Sequence, residues 1–136
     1  MNKIVEDMSF ELSQPSDTAQ VIYSARHMLA QIGFNEVQQC LIATAVSELS
    51  TNIIRYATPG TVTLRIIRDG DRTGFEIIAE DQGPGIKNIQ KALEENYSTG
   101  NGLGLGLSSV KRIMDAFEIR CEPGQGTCII AKKWVE

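Results

Sequence analysis

Basic charge is in short supply in this chain. Thirteen Lys and Arg stand against 17 Asp and Glu in 136 residues, a net charge of -4 with an isoelectric point near 5.0. That balance speaks against a nucleic-acid partner, which calls for a basic face. Long apolar runs are missing too. No stretch approaches the roughly 20 apolar residues of a membrane-spanning helix, and the opening Met1-Asn2-Lys3-Ile4-Val5-Glu6-Asp7 lacks the apolar core of a secretory signal. These absences predict a cytoplasmic protein with no membrane partner. Cysteine is scarce: there are three, an odd number, with no metal-ligand spacing. Cys121 and Cys128 fall on two predicted strands joined by a short turn, so a cross-strand disulfide is conceivable, although a reducing cytosol disfavours it. The one His, His27, has no Cys or carboxylate at a ligand spacing and reads as a plain residue of a surface helix.

What is present suits one globular domain over residues 1–136. Hydrophobic residues make up 42% and charged residues 22%, enough for a core of ordinary size, and no repeat, linker or low-complexity segment divides the chain. Met8, Phe10 and Leu12 alternate with polar residues as in a half-buried strand. Pro15 and Ser16 end it and start a helix on which Val21, Ile22, Ala25, Met28, Leu29 and Ile32 recur, until Gly33 stops it. Asn35 caps a second helix, with Gln38 three residues on in an arrangement close to a capping box. That helix runs to about Ala57, with Leu41, Ile42, Ala45, Val46, Leu49 and Ile53 as its apolar residues. Val62, Leu64 and Ile66 mark a second strand, Asp69-Gly70-Asp71 a hairpin turn, and Phe75, Ile77 and Ala79 a third strand ending on Glu80-Asp81. Ile86, Ile89, Ala92 and Leu93 suggest a short helix, and Asn96 to Gly106 a loop. Val110, Ile113, Met114 and Phe117 mark another helix, which starts near Leu107. Phe117, Ile119 and Cys121 then form a fourth strand, and Ile129 and Ala131 a fifth that ends near Trp134. Mixed elements and tight turns predict an α+β two-layer sandwich, with helices on one face of a mixed, mostly antiparallel sheet. Thr63, Arg65, Glu76, Glu118 and Arg120 are the expected solvent-facing positions of the other face.

Glycine gathers in the second half. Of 12 Gly, eight lie from Gly83 onward. Asp81-Gln82-Gly83-Pro84-Gly85 follows the apolar run Ile77-Ile78-Ala79, and Gly102-Leu103-Gly104-Leu105-Gly106 precedes a helical pattern. Such loops turn backbone N–H groups toward a ligand, and before a helix start they are ready anion sites. The second run is no dinucleotide fingerprint, because the third Gly of G-x-G-x-x-G is missing and no strand precedes it, and no G-K-[ST] follows to make a Walker loop. Read by themselves, the two runs fit either plain turns and linkers or a nucleotide pocket with a mobile lid. Lys111 and Arg112 fit either added positive charge there or a solvated surface. Glu48 and Asn52 stand one turn apart and interrupt the edge of the core-facing stripe along Leu41–Ala45–Glu48–Asn52. They suit either a polar flank or an activating carboxylate beside an amide oxygen that could bind Mg²⁺.

In order along the chain, Glu48-x-x-x-Asn52, Asp81-x-Gly83-x-Gly85, Gly102-x-Gly104-x-Gly106 and Gly124-x-Gly126-Thr127 closely resemble the four motif boxes of the GHKL ATPases. The resemblance spans roughly Asn35 to Trp134. It implies a Bergerat fold holding ATP and Mg²⁺. It also implies that Asn52 binds Mg²⁺, that Asp81 binds the adenine amine with support from Thr127, and that Gly83, Gly85 and Ile86 lie along the base. Gly102, Leu103, Gly104, Leu105 and Gly106 then form the lid over the phosphates, and Glu48 takes the general-base position. A phosphate-accepting helical hairpin does not fit before Asn35, and His27 is followed by Met28 and not by an acid, so the histidine kinases match less well.

Ala45-Val46-Ser47-Glu48-Leu49, Ile78-Ala79-Glu80-Asp81-Gln82-Gly83-Pro84-Gly85-Ile86, Lys111-Arg112-Ile113-Met114-Asp115 and the ending Ala131-Lys132-Lys133-Trp134 resemble the RsbT-type switch serine-protein kinases of bacterial partner switching. That resemblance implies an ATP- and Mg²⁺-dependent serine/threonine kinase in a stress-response switch. Its substrates would be STAS-domain scaffold or antagonist proteins, and when released it would activate a phosphatase. Arg55 and Tyr56 are candidates for the substrate rim. Two alternatives stay open: a sigma-sequestering anti-sigma factor, although Arg55-Tyr56 stands where such proteins more often carry a His, and a nucleotide-dependent binding switch without transfer activity.

Overall fold

The computed structural model describes residues 2–56, 59–82, 106–121 and 126–136. The short helix expected around Ile86 to Leu93, and all but the last residue of the loop expected from Asn96 to Gly106, lie outside them. Five strands form one sheet: β1 (Lys3–Leu12), β2 (Gly60–Asp69), β3 (Arg72–Asp81), β4 (Ala116–Cys121) and β5 (Thr127–Trp134). Their order is β1-β2-β3-β5-β4, and every pair is antiparallel. Helices α1 (Asp17–Gln31), α2 (Glu36–Tyr56) and α3 (Gly106–Ile113) pack against it.

Both long helices start, and α1 stops, for identifiable reasons. Asn35 Oδ1 accepts the Gln38 N–H at 2.8 Å, the cap read from the sequence. Gly33 ends α1 with φ 102, a conformation in which a Cβ is unfavourable. The entry to α1 works differently from the expected Ser16 start. Ser16 makes no side-chain cap bond, and the Asp17 carboxylate reaches back to accept the Ser13 and Gln14 N–H groups at 2.9 and 3.0 Å. Those backbone hydrogen bonds hold the Asp17 carboxyl below its ordinary range. Helix α3 is shorter than its apolar pattern suggested. It stops at Ile113, and Phe117 belongs to β4 alone. Asp115 fixes that turn: its N–H donates to Lys132 O at 2.8 Å, and its carboxylate takes the Trp134 N–H at 2.9 Å.

Strand parity divides the sheet into two unlike faces. Val62, Leu64, Ile66, Phe75, Ile77, Ala79, Ile129 and Ala131 point to the helices and are buried with Val21, Ala25, Leu29, Ile42, Val46 and Leu49. Leu41, which the helical pattern counted with these residues, is 47% exposed: it sits at the margin of the stripe, where Ile42 and Ala45 take the core positions. Strand β1 extends well before Met8. Its alternation is hidden because the register shifts between Ile4 and Glu6, which moves Ile4 opposite Ile67 on the other face.

That other face carries a row of alternating charge across four strands. Arg65 lies 3.7 Å from Asp7 and 3.6 Å from Glu76, and Lys132 lies 3.7 Å from Glu76. Thr63 and Glu76 do point this way, as expected, but they are 7% and 8% exposed and not solvated. The flanking strands cover them, and the two cations compensate the Glu76 carboxylate. Cys121 pairs with Thr127, and Cys128 pairs with Arg120, so the two cysteines do not face each other. Cys128 is a free thiol whose pKa is raised by burial and then by Glu80.

At the far end of this face Trp134 lies over Gly74, where an added Cβ would stand 2.7 Å from Trp134 Cε3 and 3.1 Å from the Lys133 carbonyl. The Arg72 guanidinium lies over the same ring, 4.0 Å from its centroid. Gly74→Ala should therefore push the indole off the sheet. The expected outcome is a red-shifted emission from this single tryptophan and a loss of about 1–3 kcal/mol of stability, the usual overpacking cost. Fluorescence and urea titration check both, and an unshifted spectrum with unchanged stability would contradict the packing.

Candidate nucleotide and phosphoryl-transfer site

The site is built where α2 meets one end of the sheet. Glu48 and Asn52 project from the same side of α2, about 6 Å apart along the axis, and both are half-buried at the margin of its apolar stripe. The helix is held at this height by its next residue. Ile53 is 3% exposed, and it packs on Gly60 so closely that a Cβ there would stand 2.5 Å from Ile53 Cγ2 and 2.8 Å from Glu80 O. Gly60 in turn is the ladder partner of Asp81. In the sequence, Pro59-Gly60 simply follows the expected end of this helix near Ala57. Its place opposite Asp81 depends on strand register, which local patterning does not report.

Asp81 is the last residue of β3. By strand parity it falls on the helix side of the sheet with Ile77 and Ala79, and it is half-buried. Its other neighbour is Thr127 of β5, which is 9% exposed. Just before Thr127, Gly126 has φ 89, and a Cβ there would collide with the Asp81 carbonyl and come within 3.0 Å of Gln82 Cα. Gly126 therefore lets the chain close against Asp81–Gln82. The glycine run Gly124-Gln125-Gly126-Thr127 was visible in the sequence, but the contact partner of Gly126 was not.

Helix α3 supplies a third wall. It opens on Gly106, whose φ of 56 favours glycine, and its own first turn carries no acidic side chain. Lys111 and Arg112 occupy its last turn and are exposed, so they lie away from that N-terminus. Arg112 donates to Ser109 Oγ at 3.2 Å. Packing of α3 against α2 brings this wall beside the helix that carries Glu48 and Asn52.

The structure thus gathers Asp81 and Thr127 at one end of the sheet, and sets Glu48 and Asn52 on one flank of the helix docked there. Gly83, Gly85, Ile86, Gly102, Leu103, Gly104 and Leu105 lie outside the described residues. Arg55 is exposed on the last turn of α2, and the Tyr56 side chain is outside the described set. His27 is exposed on α1, as read from the sequence.

These residues fit the chemistry of a nucleotide with a hard cation. A half-buried carboxylate at a strand end suits a flat base that donates an amine. Asn52 offers an amide oxygen, the kind of ligand Mg²⁺ accepts alongside phosphate oxygens. Among the described residues no cluster of three or more His, Cys, Asp or Glu could hold a metal alone.

Comparison with known proteins agrees with this geometry. The family model described as a histidine kinase-like ATPase domain matches residues 12–133. The chain is 46% identical over 110 residues, 81% of its length and 83% of the relative's, to the serine/threonine-protein kinase RsbT of Bacillus subtilis. It is 35% identical over 98 residues to an anti-sigma F factor of Clostridium acetobutylicum, covering 68% of this chain and 67% of that one. Among solved structures, one of the SiaB–SiaC complex from Pseudomonas aeruginosa superposes with a TM-score of 0.62 at 13% identity, over 97% of this chain and 91% of that one. The mycobacterial sensor histidine kinase MprB superposes with a TM-score of 0.54 at 20% identity, over 95% and 96%. These two show a shared fold. With the model matching nearly the whole chain, and a serine/threonine-protein kinase as a relative at 46% identity, the chain belongs to the histidine kinase-like ATPase family, on its RsbT-type serine/threonine kinase branch.

Proposed function

We propose that this kinase transfers the γ-phosphate of ATP, with Mg²⁺, to a serine or threonine of a STAS-domain scaffold or antagonist protein in the cytoplasm. On release from that scaffold it binds and activates a phosphatase. The observation that carries the reading is the pairing of Glu48 and Asn52 on the flank of α2, docked through Ile53 and Gly60 onto the strand end that presents Asp81. Bound ATP–Mg²⁺ would supply the phosphoryl group and neutralise its oxygens. Asp81 accepts a hydrogen bond from the adenine amine, and the Thr127 hydroxyl supports that contact. Gly83, Gly85 and Ile86 line the base. Gly102, Leu103, Gly104, Leu105 and Gly106 cover the phosphates. Asn52 gives its amide oxygen to the cation, and Glu48 orients the acceptor hydroxyl and takes its proton during attack. No helix among the described residues is long and apolar enough to cross a membrane.

Sigma-factor sequestration is the second reading, favoured by the 35% identity to an anti-sigma F factor. Binding assays against a sigma factor and against a STAS protein separate the two.

Two substitutions test the site. Asp81→Asn presents an amide donor to an adenine that also donates there, so ATP binding measured by calorimetry should fall below detection while the circular dichroism spectrum is kept. Unchanged affinity in a folded variant would overturn the adenine contact. Glu48→Ala should lower the transfer rate by about 10²–10⁴-fold, the usual worth of a positioned base, with ATP affinity within a few-fold of wild type. Asn52→Ala should in addition weaken the Mg²⁺-dependent part of binding. Transfer at the normal rate by Glu48→Ala would remove the general-base assignment.

A further inference from the structure

The outward side of the helix layer is short of charge. Helices α1 and α2, 15 and 21 residues long, carry five charged side chains between them: Asp17, Arg26, Glu36, Glu48 and Arg55. Tyr23, Val37 and Leu41 stand there instead, 76%, 69% and 47% exposed. A single exposed apolar residue is ordinary. Two of these three, however, fall in one row along α2. Val37, Leu41, Thr44 and Glu48 are spaced four, three and four residues apart, so they share a side of the helix. The row is about 16 Å long at the helical rise, and it ends on the carboxylate assigned above to the acceptor hydroxyl. Its other side is taken up by the core, through Ile42, Val46, Leu49 and Ile53.

We infer that this row is the docking strip for the protein substrate, an inference that rests on the reading of Glu48 given above. An acceptor hydroxyl within hydrogen-bond reach of Glu48 brings the surface beside it onto the neighbouring turns of α2. Toward the C-terminus those turns carry Arg55. Toward the N-terminus they offer Leu41 and Val37, with no charge between them and Glu48. The partner is therefore a folded protein that flanks its acceptor Ser or Thr with an uncharged, apolar surface. Recognition of this kind is held by buried aliphatic area, with each side chain contributing roughly tenfold or more in affinity, and it responds little to salt.

The test is steady-state phosphoryl transfer to a purified STAS-domain protein, with ATP affinity measured in parallel by calorimetry. In Val37→Glu/Leu41→Glu the KM for the protein substrate should rise about 30-fold or more, with kcat and ATP affinity within threefold of wild type. Val37→Ile/Leu41→Met should restore the wild-type KM, and that KM should change less than threefold between low and high salt. A KM within twofold of wild type in the doubly charged variant would overturn the strip. So would a wild-type dimer that the variant dissolves without a change in KM, because the strip would then belong to a second copy of the chain. If the doubly charged variant does not fold, Leu41→Ser, with KM expected up by about tenfold, decides in its place. Absence of transfer by the wild-type chain marks a different failure: the kinase reading on STAS proteins falls, and the strip falls with it.

Discussion

The site depends on the contact of Ile53 with Gly60. Gly60 pairs with Asp81 across the β2–β3 ladder, and Ile53 is the residue after Asn52, so one close approach sets the height of α2 over the strand end that presents Asp81. An added methyl at Gly60 would have to displace either Ile53 or the Glu80 carbonyl, an overpacking cost of about 1–3 kcal/mol. The same solution recurs on the other side of Asp81, where Gly126 lets the start of β5 close on the Asp81–Gln82 backbone. Two glycines with backbone or a buried side chain where a Cβ would stand therefore bracket one carboxylate, and the hydrophobic core keeps both neighbours in place.

The rest of the fold separates tasks between faces. The helix side of the sheet holds the core, and its end holds the site. The other side is locked by ion pairs across β1, β2, β3 and β5, and by Trp134 lying on Gly74 under the Arg72 guanidinium. Pairs at 3.6–3.7 Å with partly exposed partners contribute little each. Their clearer effect is to set two cations beside the 8%-exposed Glu76 carboxylate, so that its charge is not buried without a partner. The charge so concentrated leaves the outward surface of α1 and α2 nearly neutral, which suits contact with another protein.

Much of this was legible in the sequence because it is local. The Asn35 cap, the Gly33 stop, the Asp69–Asp71 hairpin, the end of β3 on Asp81 and the shared flank of Glu48 and Asn52 all follow from spacing within a few residues. What escaped depends on pairing between distant segments. The first half of β1 was invisible because the register shift near Val5 breaks its alternation. The burial of Thr63 and Glu76 comes from cross-strand neighbours, and so does the tight packing at Gly60, Gly74 and Gly126. Leu41 looked like core because a helical stripe has no sharp edge in sequence, and only the packing shows where it stops. The same margin carries Glu48 and Asn52, so the ambiguity that misplaced Leu41 also left their role open between surface flank and active site.

On the function proposed above, Glu48 directs the γ-phosphate to a hydroxyl of another protein. The most direct measurement is the chemistry of the product after incubation with γ-labelled ATP and a STAS-domain protein. Label on Ser or Thr of the STAS protein, stable to acid and lost when Glu48 is replaced by Ala, is the expected result. Acid-labile label on His27 of this chain, or no label on any STAS protein under conditions where ATP binds, would contradict it.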